Sequence, residues 1–281
     1  MQRISTARRV SQVFLWVVPL VPIPLSAYRP GGLKLYALAC ATQVLFMAVA
    51  VWILAADSIK DSTADRRALQ LPGVFLIACW ASATLAANMG PPPRAAAWAV
   101  TRPDQHMRYV ALLVAGLLAW AGFGLLTAKI RESGERTFSV LGLSAATIST
   151  TMFTLFTLTM LTVVDMRATQ VASSGNVPQW WPPFSALIDA WLGLFAVLTY
   201  LATSLYAMAL GNVGLLGKLG SVVFVVLGVI AAALALIAIT SSNQPATLVH
   251  GVFVFLIPAV PFILPYLIGV NLVRRAGDPV S

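Results

Sequence analysis

Apolar residues run along this chain in long blocks, and charged residues collect in the short stretches between them. A membrane-spanning helix needs about 20 mostly apolar residues. By that measure eight segments qualify, at roughly 10–28, 33–56, 69–89, 107–128, 138–164, 184–210, 218–240 and 247–272. The first is interrupted by Pro19, Pro22 and Pro24. Each proline removes a backbone donor, and within a bilayer the freed carbonyl needs a partner from a neighbouring helix or water. The pattern predicts an all-α fold, a polytopic membrane helix bundle of about eight transmembrane helices. No polar stretch is long enough to fold alone in water, so residues 1–281 read as a single integral membrane domain.

Composition agrees. Of 281 residues, 59% are hydrophobic and only 10% charged, where a soluble domain carries roughly 25%. So few charges cannot cover a water-facing surface, and a lipid bilayer is the expected partner. The net charge of +9 would suggest nucleic acid in a soluble protein. Here the basic residues sit between apolar blocks, so no nucleic-acid partner is expected, and the bias reads as topology. With eight spans and an inner N-terminus, Arg3, Arg8, Arg9, Lys60, Arg66, Arg67, Lys129, Arg131, Arg136, Lys218, Arg274 and Arg275 lie inside. Only Arg29, Lys34, Arg94, Arg102, Arg108 and Arg167 lie outside. That asymmetry places both termini in the cytoplasm, and it vanishes if the first segment does not span. Richness in Arg and Ala over Lys fits a GC-rich bacterial genome, hence a bacterial cytoplasmic membrane. The first segment also has the basic start and short apolar run of a signal peptide. However, Leu25 stands where a small residue is preferred before a cut after Ala27.

The longer outer loops are proline-rich (Pro91–Pro93; Pro178, Pro182, Pro183), and Trp180 and Trp181 fit the membrane–water boundary. An aromatic ligand-stacking site is the alternative for that pair. The prolines of the two chain ends occur in mirrored order and support no internal repeat.

Candidate chemistry is sparse. Asp57, Asp61 and Asp65 are spaced four apart in an inner loop, and Mg²⁺ takes such oxygen ligands. The spacing is similar to the first Asp-rich motif of intramembrane prenyltransferases of the UbiA type. That family needs a second acidic motif, and the matching loop here reads Gly211, Asn212, Val213, Gly214. The family's Asn-Asp opening is missing as well. Ion-paired helix ends explain the triplet without metal. Asp189 is the one acid clearly inside an apolar block, and such a group is a functional candidate by default. Near a helix N-terminus it also favours the helix dipole.

On the fifth segment Ser144, Thr147, Thr151 and Thr154 share one helical face, and the sixth offers Asp189, Gly193, Ala196, Tyr200 and Thr203. Antiparallel packing of the two sets Thr154 level with Leu194, Thr147 with Leu201 and Ser144 with Ser204. The expected ligand-binding set is therefore Asp189, Thr147, Thr151, Thr154, Tyr200 and Thr203, lining a polar cleft. The competing reading is a close-packed seam. On the seventh segment Ser221, Gly228, Ala231, Ala235 and Ala238 read as a packing seam. His250 has no second histidine at membrane depth to share a haem, Cys40 and Cys79 read as buried free thiols, and no metal or cofactor is expected.

Three function classes follow. A permease-like or small-molecule-binding or lipid-binding membrane protein is suggested by the proline-broken first and eighth segments, since discontinuous helices expose backbone groups that build substrate sites. A non-catalytic accessory or regulatory subunit would dock a membrane protein partner through its helices. An intramembrane lipid or isoprenoid enzyme needs convergent ionisable groups, and the chain offers a single isolated one. The balance leans away from an enzyme.

Overall fold

In a computed structural model of the chain, the described residues are 6–20, 33–60, 64–89, 101–174, 179–240 and 257–277, with backbone only at 33–37, 57–60, 64–67, 171–174 and 182. Every regular element among them is helical: α1 (Thr6–Val17), α2 (Leu33–Lys60), α3 (Ala64–Asn88), α4 (Arg102–Glu132), α5 (Thr137–Ser174), α6 (Trp181–Asn212), α7 (Lys218–Thr240) and α8 (Ile263–Ala276). Short 3-10 turns at Val18–Leu20 and Val260–Phe262 adjoin α1 and α8.

Six of the eight helices, α2 to α7, are long and apolar enough to cross a membrane. Of the first and eighth expected spans, the described residues show only shorter helices. Helix α1 has 12 residues and α8 has 14, about 18 and 21 Å at 1.5 Å per residue, against a hydrocarbon core of about 30 Å. Proline is the reason. Pro19 ends α1 in a 3-10 turn, and Pro261 sits in the turn that precedes α8. The rest of both segments lies outside the described residues.

Helices α2 to α7 run antiparallel in sequence order, and each contact fixes a depth. Ser82 of α3 donates to the Ala111 carbonyl of α4 at 2.8 Å. Tyr109 and Gly116 of α4 meet Phe156 and Phe153 of α5. Ser221 of α7 donates to the Ala207 carbonyl of α6 at 2.6 Å. The described ends of the chain come together, because Gly277 lies against Arg8 and the Leu54 carbonyl. The tight α4–α5 and α6–α7 turns lie at this same termini end of the bundle.

Local sequence sets the boundaries. Gly134 and Gly214 take φ of +90° and +70° in the tight α4–α5 and α6–α7 turns, a region that favours glycine. Glu135 accepts from the backbone N–H groups of Phe138 and Ser139 at 2.8 and 3.1 Å, satisfying two open donors of α5. Prolines in the first turn open α4 and α6, where a missing N–H costs nothing.

The core at mid-depth is aromatic. Phe153 stacks on Phe195 with centroids 3.9 Å apart, and Phe262 meets both rings. Outward, α7 exposes Leu219, Val222, Val226, Ile230 and Ile237, a surface suited to lipid rather than water. Its opposite face, Gly228, Ala231, Ala235 and Ala238, is buried, as the small residues of this segment predict.

Candidate functional site

The α5–α6 pairing has the register expected from the sequence but a different rotation. Phe153 faces Phe195, Ser149 faces Thr199, and Gly142 faces Tyr206, all on the register that sets Thr154 level with Leu194. Inward on α5 are Ala146, Ser149, Phe153, Phe156, Thr157 and Met160. Ser144, Thr147 and Thr151 are exposed on the other side. Two large phenylalanines decide the rotation, since they fill the space between helices. A hydroxyl does not need the interior, because it can bond back to its own helix: Ser144 donates to the Val140 carbonyl at 3.0 Å and Thr151 to that of Thr147 at 2.9 Å.

The six expected ligand residues therefore lie apart. Thr147 accepts from the Trp120 indole at 3.1 Å at the surface. Thr154 is half-buried. Thr203 is buried and donates to the Thr199 carbonyl at 2.8 Å. Tyr200 is buried where α6 meets α7, its carbonyl against Gly228. Asp189 is exposed on α6, eight residues beyond Trp181. The polar groups that do meet in the seam are Ser149 and Thr199, at 2.6 Å, with Ser149 also bonding the Phe195 carbonyl at 2.9 Å. Deeper toward the termini end, Tyr206 stacks on Phe123 at 4.5 Å and shares a 2.6 Å hydrogen bond with Thr127.

A second polar constellation lies where the two short helices meet. Helices α1 and α8 run antiparallel from the termini end, and both are interrupted near mid-depth. Tyr266 of α8 donates its hydroxyl to the Leu15 carbonyl of α1 at 2.5 Å. Helix α8 is held on α3 by a glycine pair: a Cβ on Gly269 would lie 2.8 Å from the Gly73 carbonyl oxygen. Trp80 of α3 packs on Tyr266 with centroids 6.2 Å apart. The Trp80 indole N–H is buried and has no acceptor among the described residues.

From Trp80 a buried stripe of α3 continues to the far end as Thr84 and Asn88, at a helical spacing of four. Facing it on α2 are Cys40 and Gln43, both buried. Asn88 Nδ2 donates to Cys40 Sγ at 3.0 Å and to Gln43 Oε1 at 3.5 Å. Gln43 Nε2 and Asn88 Oδ1 have no partner among the described residues. Sequence reasoning passed over these two amides; the available signal was a Gln inside one apolar block and an Asn closing the next.

The far end carries an ion-paired cluster. Arg102 and His106 of α4 both pair with Asp165 of α5, at 2.5 and 3.2 Å. The Arg167 guanidinium sits 4.3 Å from the Trp181 ring centroid, a cation–π contact. Cys40 and Cys79 are free and buried. No three His, Cys, Asp or Glu side chains gather as a metal site among the described residues. His250 and the side chains of Asp57, Asp61 and Asp65 lie outside them.

No family model, curated protein or solved structure matches this chain.

Proposed function

We propose that the chain is a permease-like, small-molecule-binding membrane protein, with the paired half-helices α1 and α8 at the heart of its site. The carrying observation is the Tyr266–Leu15 hydrogen bond, which joins two helices that both stop near mid-depth. Broken helices place backbone polar groups at membrane depth only where protein or a cavity satisfies them. Trp80, with its buried indole donor, stands beside that junction. Asp189 and the hydroxyls of α5 carry this reading less well than the junction, because Asp189, Thr147 and Thr151 face outward.

Cysteine accessibility in reconstituted liposomes tests it. Val18 and Ala259 flank the two breaks and are only 1% and 3% exposed. Single cysteines there, in a background lacking Cys40 and Cys79, are expected to react with a small water-soluble thiol reagent. Complete protection of both from either side of the membrane would sink the proposal.

A second reading, an accessory subunit that docks a membrane protein, is favoured by one observation. Arg9, Val10, Val13, Phe14 and Val17 line an apolar groove on the outer side of α1, with Val10 and Val13 each 62% exposed. A stoichiometric second chain that purifies with the protein and is lost in Val13→Arg would favour it over the first.

A further inference from the structure

We propose that Gln43 and Asn88 form a binding site for a small uncharged solute carrying both a hydrogen-bond donor and an acceptor, a primary amide being the closest match. The assignment rests on the small-molecule reading above and supplies its ligand class.

The argument starts from hydrogen-bonding capacity. Each side-chain amide offers two N–H donors and a carbonyl acceptor. Asn88 Nδ2 is occupied by Cys40 Sγ and Gln43 Oε1. What is left over is one donor group, Gln43 Nε2 with its two N–H, and one acceptor atom, Asn88 Oδ1, with no partner among the described residues. Turning both amides over together exchanges these roles but leaves the same count, while turning one alone would set two like groups against each other across 3.5 Å. Both residues are buried, Gln43 at 7% and Asn88 at 0% exposure. A buried amide group that stays unpaired is costly.

The neighbours do not fill the need. The Thr84 hydroxyl already donates to the Trp80 carbonyl at 2.8 Å. Cys40 points its sulfur at the Thr84 carbonyl, 4.0 Å away. Arg108, the nearest described charge along α4, is directed at the Met89 carbonyl at 3.4 Å.

A ligand's C=O would accept from Gln43 Nε2 while its N–H donates to Asn88 Oδ1. A charged solute would lose its hydration at this site without gaining an opposite charge from the two amides. Asn88 closes α3 at the far end of its apolar span. Trp80 lies eight residues deeper on the same face, about 12 Å along the axis, and its indole N–H, with no acceptor among the described residues, is the next donor toward the α1–α8 junction.

Cys40 reports on the site, since its sulfur is 3.0 Å from Asn88 Nδ2. Iodoacetamide, itself a primary amide, alkylates a thiol by forming an S–C bond, with iodide leaving and the thiol proton passing to buffer. Alkylation of the full chain in detergent micelles would be followed by peptide mass spectrometry. Cys79, fully buried and bonded to the Leu76 carbonyl at 3.0 Å, is the internal control. Acetamide at about twice its half-saturating concentration is expected to slow Cys40 alkylation about threefold. Equal acetate or methylammonium leaves the rate unchanged. Asn88→Leu and Gln43→Met, measured separately so that either one suffices if the other fails to fold, abolish protection by acetamide.

Three outcomes overturn the proposal. Acetamide leaves Cys40 alkylation unchanged, which reduces the pair to a water-filled packing joint; acetamide slows Cys40 and Cys79 equally; or protection survives in a folded variant. None of these alters the reactivity expected at Val18 and Ala259, so failure of the ligand class and failure of the permease-like reading remain separable.

Discussion

The Tyr266 hydroxyl donates to the carbonyl of Leu15 across 251 positions of sequence, and that carbonyl is the one Pro19 deprives of its helical partner. In an uninterrupted helix Leu15 would accept from the N–H of residue 19, which proline lacks. The tyrosine thus replaces, from another helix, a backbone bond that the sequence of α1 forbids.

Tyr266→Phe is expected to leave the Leu15 carbonyl unsatisfied and to cost about 1–3 kcal/mol, read as a lowered thermal unfolding transition in micelles. The informative comparison is with Pro19→Ala, which restores an N–H to α1. In that background Tyr266→Phe should cost less than about 0.5 kcal/mol, and the double-mutant cycle reports the coupling. Equal costs in both backgrounds would show that the hydroxyl serves something other than Leu15.

Gly269→Ala is expected to destabilise by about 1–3 kcal/mol through overpacking, because its new methyl would sit 2.8 Å from the Gly73 carbonyl oxygen and 2.9 Å from Leu76 Cβ. Gly124→Ala is the matched control. Nothing lies within 4 Å of its added Cβ, so helix propensity should stabilise it by up to about 1 kcal/mol. Thermal unfolding of the two variants side by side checks the difference.

On α5, Phe153→Ala should cost about 3–5 kcal/mol, since the ring contacts Phe156, Phe195 and Phe262. Ser149→Ala removes two interhelical bonds, to the Phe195 carbonyl and the Thr199 hydroxyl, each worth about 0.6 kcal/mol on average in membrane proteins. Thr151→Ala, on the exposed face, should stay within about 0.5 kcal/mol of wild type. A ranking with Thr151 above Ser149 would show that the outward hydroxyls are covered by something absent from this chain.

Asp189→Asn is expected to leave the unfolding transition within about 0.5 kcal/mol, because the carboxylate is exposed and makes no hydrogen bond or ion pair among the described residues. Unchanged reactivity of cysteines at Val18 and Ala259 in the same variant would separate Asp189 from the α1–α8 junction. Loss of that reactivity would restore it as a functional acid.

Much of the fold was legible because hydropathy and depth are nearly the same information in a membrane helix. The middle six blocks became α2 to α7, and antiparallel succession was enough to set the α5–α6 register. Helix rotation was not legible in the same way. A threonine bonds its own helix equally well at a lipid face or in a core, so the hydroxyl stripe of α5 carried no directional signal, whereas Phe153 and Phe156 did. The prolines marked where α1 and α8 break, but only the tertiary structure shows that the two broken ends lie together. For Gln43 and Asn88 the sequence shows only one polar residue in or beside each apolar block, and packing alone brings them within 3.5 Å.

Pairing the first helix with the last also sets a schedule for biogenesis. The ribosome adds about 5–20 residues per second, so Leu15 is made roughly ten to fifty seconds before Tyr266. For that interval α1 must lie in or beside the bilayer with one carbonyl held by something temporary. The α1–α8 junction is thus the last part of the described fold to form, and a ribosome stalled after α7 would leave α1 packed on α2 without the tyrosine that completes it.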